Sequence, residues 1–389
     1  MQHAPVRPKE RFLVFGAPQI EEPEIEEVVA SLRSGWLGTG PKVAAFEEDF
    51  RVYRGARHAV AVSSCTAGLQ LALLASGVGP GDEVITTPLT FCATVNAIIH
   101  AGATPVLADV DPHSFNLDPQ RVRERLTPRT KAIVPVHFAG RPCDMMALLE
   151  LADAHGLRVV EDCAHAIETE IDGAAAGTFG DFGCFSFYVT KNVCTAEGGM
   201  VLARRPEDAA RLKRLALHGM SQDAWQRFSD TGYRHYAVVE AGFKYNMTDL
   251  QASLGLHQLA RVERNAARRD AVWEHYQSAL RDLPFQLPAA PALGTRHARH
   301  LYTVLLDEAE AGLARDELLD RMTFHNIGVG VHYLAIPEHP YYAERFGMRP
   351  DETPVATAIG RRTLSLPLSA ALDDQDVDDV VTALVRSVG

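Results

Sequence analysis

The chain has 389 residues, 47% of them hydrophobic and 23% charged, which is enough for a large core and a smaller second domain. A formal net charge of −12 argues against a nucleic-acid binder, which needs a basic face. No apolar run reaches membrane-span length, and the opening MQHAPVRPKERF lacks a signal-peptide core, so the expected setting is the cytoplasm, with neither nucleic acid nor membrane as partner.

Along the chain, residues 21–33 place Ile25, Val28, Val29 and Leu32 at helical spacing, and Val43, Phe46, Phe50 and Tyr53 form a second helical stripe after Pro41. Strands and helices then alternate. HAVAV (58–62), GPGDEVITT (79–87), TPVLADV (104–110), KAIVPV (131–136) and LRVVEDC (157–163) read as extended, with CFSFY and MVLA as the next strands. Between them TAGLQLALLAS (66–76), TFCATVNAIIHAG (90–102), LDPQRVRERL (117–126) and DMMALLELADAHG (144–156) read as helices. Such alternation indicates βαβ units and a largely parallel sheet covered on both faces.

A helical stretch from about Thr248 to 281 leads out of this region. Beyond PFQLPAAPALG come HLYTVLL (300–306), a helix over 314–325, an extended VGVHYL (329–334) and a helix near 373–387. The expected organisation is a large α/β domain over 1–248, including the N-terminal helices. A connecting helix and a small α+β domain would occupy 249–389.

Six cysteines, at 65, 92, 143, 163, 184 and 194, show no C-x-x-C spacing, so they read as small core residues, with no metal knuckle or redox dithiol. Of the 38 basic residues only six are lysines: Lys9, Lys42, Lys131, Lys191, Lys213 and Lys244. Arginine cannot replace lysine in covalent chemistry, because its guanidinium is effectively never deprotonated. Lys191 stands out in SFYVTKNVCTAEGGM, a segment otherwise almost free of charge, where burying an ammonium is costly.

Three constellations carry chemistry. In SSCTAGLQLAL (63–73) a strand gives way, through small hydroxyl residues, to a helix start whose free N–H groups suit a phosphate; Ser64 or Thr66 equally suits a plain helix cap. In VVEDCAHA (159–166), Asp162 ends a buried strand at the ligand edge of a parallel sheet, where a carboxylate can hold a proton on a heteroaromatic nitrogen. A turn aspartate capping the next helix is the plainer reading. His165 suits either a flat ligand or a structural role. Lys191 completes the set: an amine whose cationic form is disfavoured attacks carbonyls. Pyridoxal 5′-phosphate (PLP) chemistry needs these three parts: a lysine, a carboxylate for the ring nitrogen and a phosphate site at a helix start. Ser186 can add a hydroxyl to the phosphate, and Phe91 can stack on the ring or fill the core.

With these residues in hand, the chain resembles the DegT/DnrJ/EryC1/StrS family of PLP-dependent sugar aminotransferases over nearly its whole length. The resemblance is carried by SGWLGTGPKVAAFEEDF, AVSSCTAGLQLAL, GPGDEVITTPLTF, KAIVPVHFAGRPCDM, VVEDCAHA, GDFGCFSFYVTKN, AEGGMV, LHGM, FKYNMTDLQASLGL and LSLPLS. Within the family, SSCTAGL, KYNMTDLQA, GVGVHYLA and PYYAERF are most similar to the UDP-4-amino-4-deoxy-L-arabinose aminotransferase branch, which aminates C4 of a UDP-4-keto-pentose.

The resemblance implies a type I PLP-dependent aminotransferase fold, with a mostly parallel seven-stranded sheet in the large domain and a small C-terminal α+β domain. It also implies a homodimer with shared active sites. By the same resemblance Lys191 would carry the cofactor, Asp162 would pair with its ring nitrogen, and His165 would lie near its phenolic oxygen. Phe91 would stack on the ring, while Thr66, Ala67 and Ser186 would hold the phosphate. Asn246 would reach that phosphate from the partner subunit. His332 and Tyr333 would lie near a nucleotide-linked keto sugar, with glutamate as amino donor. Cys65 departs from the glycine many relatives carry, and Trp225, Arg227, Tyr233 and Arg234 fall in a segment that varies within the family. Amination at C3 of a hexose, or a non-catalytic binding or regulatory role on the same fold, are the rival expectations.

Overall fold

Short runs rich in β-branched and small apolar residues become β1 (His58–Val62), β2 (Glu83–Thr86), β3 (Thr104–Leu107), β4 (Thr130–Val134) and β5 (Arg158–Asp162). After two minor strands, β6 (Glu170–Ile171) and β7 (Ala174–Ala175), the chain adds β8 (Phe182–Ser186) and β9 (Gly199–Ala203). The computed structural model describes residues 4–221 and 236–389. One seven-stranded sheet runs in the order β1-β9-β8-β5-β4-β2-β3. Only β9 is antiparallel to its neighbours.

Parallel pairing requires long crossovers, and helices supply them. These are α1 (Glu22–Ser34), α2 (Pro41–Tyr53), α3 (Cys65–Ala75), α4 (Cys92–His100), α5 (Pro119–Arg125), α6 (Met145–His155) and α7 (Pro206–Ala216). Helix α3 is apolar nearly all round and almost wholly buried, as a helix laid across a sheet must be. It packs on β5, β8 and β9 between α4 and α7. On the opposite face Phe46 and Phe50 of α2 meet Phe185 and Phe187 in edge and tilted contacts with ring centroids 5.0–5.4 Å apart.

The expected helical stretch after Thr248 is two helices, α8 (Asp249–Ala260) and α9 (Val262–Ala279). They break at Arg261, which leaves helical geometry while its guanidinium pairs with the buried Glu24 of α1 and bonds Gln19 O. A second core lies between α9 and a three-stranded sheet of β10 (Phe285–Gln286), β12 (Tyr302–Leu306) and β13 (Thr363–Leu366), with Arg315–Phe324 and Asp374–Val388 helical against it. The small strand β11 (Thr295–Arg296) pairs with β6, which in turn pairs with β7.

Three local expectations change. VGVHYL is not a strand: only Gly330 bridges, to Ser365, because His332 and Tyr333 both turn to polar partners described below. Strand β8 stops at Ser186, so Tyr188 and Val189 lie in the turn that delivers Lys191, whose N–H bonds Tyr188 O at 2.8 Å. Helix α1 forms as expected, but it buries Glu24 and Ser31 against α8 and leaves Ile25 and Leu32 about half exposed. All six cysteines are free thiols.

Candidate active site

The strand register brings the chemistry to one edge. Val62 of β1 pairs with Gly199 of β9, which pairs with Ser186 of β8, and Asp162 of β5 lies opposite Cys184. The carboxyl ends of β1, β5 and β8 therefore form a row, and above it lies a cavity of about 610 Å³. Ser64, Cys65, Thr66, Phe91, Asp162, His165, Ser186, Lys191, His332 and Tyr333 all line this cavity. Two expected residues do not. Ala67 is buried and its N–H donates to Ser64 Oγ at 3.1 Å. Asn246 lies in a separate cavity with Trp36 and Thr39, where its Nδ2 donates to Thr39 Oγ1 at 2.7 Å. Trp225, Arg227, Tyr233 and Arg234 lie outside the described residues.

Ser64 is the N-cap of α3, so the first-turn N–H groups of Cys65 and Thr66 have no helical carbonyl to bond. They are free for an anion, and the helix dipole adds attraction. The backbone is tight here: a Cβ on Gly199 would stand 2.6 Å from Ser64 C and 2.7 Å from Cys65 N. Ser186, buried beside this turn, adds a hydroxyl.

Lys191 is half-buried, and its Nζ has no hydrogen-bond or ion-pair partner among the described residues. Burial holds its ammonium down to about 8, against the smaller opposing pull of Cys65 and Asp162. Asp162 is buried, which pushes its carboxyl up. Thr94 Oγ1 donates to its Oδ2 at 2.7 Å and Ala164 N–H to its Oδ1 at 3.1 Å, both favouring the carboxylate. Thr90 and Thr94 hydroxyls lie 2.9 Å apart, one turn from each other. Since Thr94 spends its proton on Asp162, Thr90 donates to it. Sequence reading missed this pair, although the i, i+4 spacing of Thr90 and Thr94 in TFCATVNA was its signal.

His165 is buried, and its Nδ1 accepts from Ala139 N–H at 3.2 Å while its Nε2 lies 3.1 Å from Tyr333 Oη. Burial, with the charge of Lys191, holds it well below the ordinary imidazole range. His332 Nδ1 lies 2.9 Å from Ser365 Oγ and its ring stacks on Phe15 with centroids 5.3 Å apart; burial holds it down to about 4. Phe91, the N-cap of α4, is 60% exposed and stands 6.1 Å from the Tyr333 ring. His300, the other imidazole on this cavity, had no motif to announce it.

A row of parallel strand ends bearing a depressed lysine, a buried carboxylate braced by hydroxyls and an open helix start fits one cofactor class. The residues present suit PLP, because the amine is unpaired and the anion donors are unspent. The fold and cavity thus define a PLP-dependent aminotransferase. Sequence comparison agrees. The model of the DegT/DnrJ/EryC1/StrS aminotransferase family matches residues 18–385, and the chain belongs to that family of sugar aminotransferases.

Among its relatives, the spore coat polysaccharide biosynthesis protein SpsC of Bacillus subtilis (strain 168) is 48% identical over 380 residues, covering 97% of this chain and 98% of that one. The protein Spr1654 of Streptococcus pneumoniae, assigned as a sugar aminotransferase and solved in a PLP form, superposes with a TM-score of 0.89 at 32% identity, over 97% of this chain and 98% of that one. The aminotransferase TlmJ of Streptoalloteichus hindustanus superposes with a TM-score of 0.88 at 34% identity, over 96% of this chain and 98% of that one.

Proposed function

We propose that this aminotransferase moves the amino group of glutamate to a nucleotide-activated keto sugar, at C4 of a UDP-4-keto sugar. The observation that carries the transfer chemistry is the unpaired amine of Lys191 in one cavity with Asp162 and the open start of α3. The sugar assignment is supported by the polysaccharide and sugar roles of the relatives named above and by the likeness of SSCTAGL, KYNMTDLQA, GVGVHYLA and PYYAERF to the C4-aminating branch.

Bound here, PLP supplies an aldehyde that carries the amino group and an electron-poor ring that stabilises negative charge on the adjacent carbon. The N–H groups of Cys65 and Thr66, with the hydroxyl of Ser186, bind the phosphate. Asp162 would hold a proton on the ring nitrogen, and the hydrogen bonds from Thr94 and Ala164 favour its carboxylate form, opposing the effect of burial. Phe91 covers the ring. Lys191 Nζ, held down to about 8 and so neutral in an appreciable fraction near that pH, would be the group that moves a proton at the reacting carbon. His332 and Tyr333 orient the sugar.

The active unit is a homodimer. Asn246, turned away from its own chain's cavity, serves the partner's phosphate site, and the exposed Ile25 and Leu32 of α1 give apolar surface for association. Incubating the enzyme with glutamate and a panel of UDP- and dTDP-keto sugars, with product masses and linkage read out, tests the substrate. A UDP-sugar product aminated at C4 is expected, and amination at C3 or only of dTDP-sugars would reject it. Borohydride reduction followed by peptide mapping should put the cofactor mass on Lys191.

A further inference from the structure

Two buried imidazoles face each other across the cavity wall, with ring centroids 4.4 Å apart, and the groups around them impose opposite tautomers. Because Ala139 N–H donates to His165 Nδ1, a neutral His165 carries its proton on Nε2 and donates it to Tyr333 Oη. His300 is fixed the other way. Asn192 Nδ2 donates both its hydrogens, one to Glu168 Oε2 at 2.8 Å and one to Ala298 O at 3.0 Å. Its Oδ1 is therefore an acceptor, and it lies 3.1 Å from His300 Nδ1, which must carry the proton. Neutral His300 is left with a bare Nε2.

This arrangement is anchored from behind. Glu168 turns its other oxygen to the guanidinium of Arg269, and both side chains are almost fully buried. Asn192, the relay, follows Lys191 directly in the chain. Burial and the charge of Lys191 hold His300 well below the ordinary imidazole range, so it is neutral as this geometry requires. Its Nε2 has no protein partner among the described residues, although the ring is 6% exposed and lines the cavity. A lone pair that reaches the cavity without a protein donor is available to a ligand that brings one. The neighbouring His165 has no free nitrogen for this role, since both of its nitrogens are engaged.

We propose that His300 is the hydrogen-bond acceptor for the amino group of the incoming amino acid, and that Asn192, Glu168 and Arg269 are positioning residues that hold it as the Nδ1–H tautomer. The proposal rests on the transaminase reading above, because the donor's amino group is the N–H-bearing group that must enter this cavity whichever sugar is aminated.

The test uses full-length protein labelled with ¹⁵N-histidine, with and without cofactor, and assigns His300 by comparison with His300→Phe. In cofactor-free protein at about pH 7, long-range ¹H–¹⁵N spectra should show His300 protonated on Nδ1 alone. Asn192→Ala should give a tautomer mixture for His300 while His165 keeps its Nε2 proton. In cofactor-loaded protein, His300→Phe and Asn192→Ala should slow the glutamate half-reaction about tenfold, the loss of one hydrogen bond to a charged group. A proton on His300 Nε2 in the wild type, or a wild-type tautomer and rate in Asn192→Ala, overturns the proposal. Failure of the PLP reading would look different: no borohydride adduct at Lys191, with the tautomers of the cofactor-free protein unchanged.

Discussion

At the scale of single residues, the site is a set of groups held away from their ordinary ionisation. Lys191 in the folded chain titrates near 8, below the 10.5 of a free lysine. Below pH 8 both folded and unfolded chains are protonated, and the folded state bears the full penalty of burial. Between 8 and 10.5 the unfolded chain holds the extra proton, so stability rises with pH. Cofactor-free Lys191→Met should therefore be more stable than the wild type by roughly 1–3 kcal/mol below pH 8, with the gap closing above it. Denaturant melts at several pH values check this; a gap that widens with pH would reject it.

Thr94 works through Asp162. Thr94→Val removes the hydroxyl that favours the carboxylate, so cofactor affinity should fall about tenfold, with Thr94→Ser restoring it. Spectrophotometric cofactor titration reads the change, and equal loss in both variants would point to packing instead.

At the scale of elements, the decisive join is between β9 and the start of α3. Gly199 sits in β9 because any side chain would press on the Ser64–Cys65 backbone, 2.6–2.8 Å away. Gly199→Ala must push that turn outward, which misaims the N–H groups of Cys65 and Thr66. The expected result is a loss of about 1–3 kcal/mol in stability, as for other overpacked sites, with a parallel drop in phosphate affinity. Inorganic phosphate protection against thermal unfolding separates the two effects: the variant should melt lower and gain less from phosphate. Gly68 of α3 is constrained from the other side, where its Cβ would meet Val201 Cγ2 at 2.8 Å. Helix α3 thus rests directly on the strands that end in Asp162 and Ser186.

At the scale of the whole molecule, Asn246 and Lys191 face different cavities in one chain. If two chains share their sites, Lys191→Ala and Asn246→Ala complement each other. Mixing the two inactive variants under subunit exchange should restore up to about a quarter of wild-type activity, since half of randomly paired dimers are hybrids with one intact site of two. No recovery on mixing, with exchange verified by mass, would place Asn246 outside the shared site. Sedimentation of the wild type should give a species of twice the chain mass.

The strands, most helices and the trio of helix start, Asp162 and Lys191 were legible in the amino-acid order, because each depends on local periodicity or on where a strand ends. The break at Arg261, the irregular course of VGVHYL and the outward turn of Ile25 and Leu32 were not. They follow from long-range polar partners, Glu24 for Arg261 and Ser365 and His165 for the histidine and tyrosine, that lie far away in the chain. His300 and its brace were hidden for the same reason, since Asn192, Glu168 and Arg269 mean nothing together until α9 folds back beside the lysine turn. By itself, then, the sequence determined the alternating architecture and which amine, carboxylate and helix start could act, through spacing and residue chemistry. Only the tertiary structure decided which of them share a cavity and which proton each imidazole carries, because hydrogen bonds between distant residues set both.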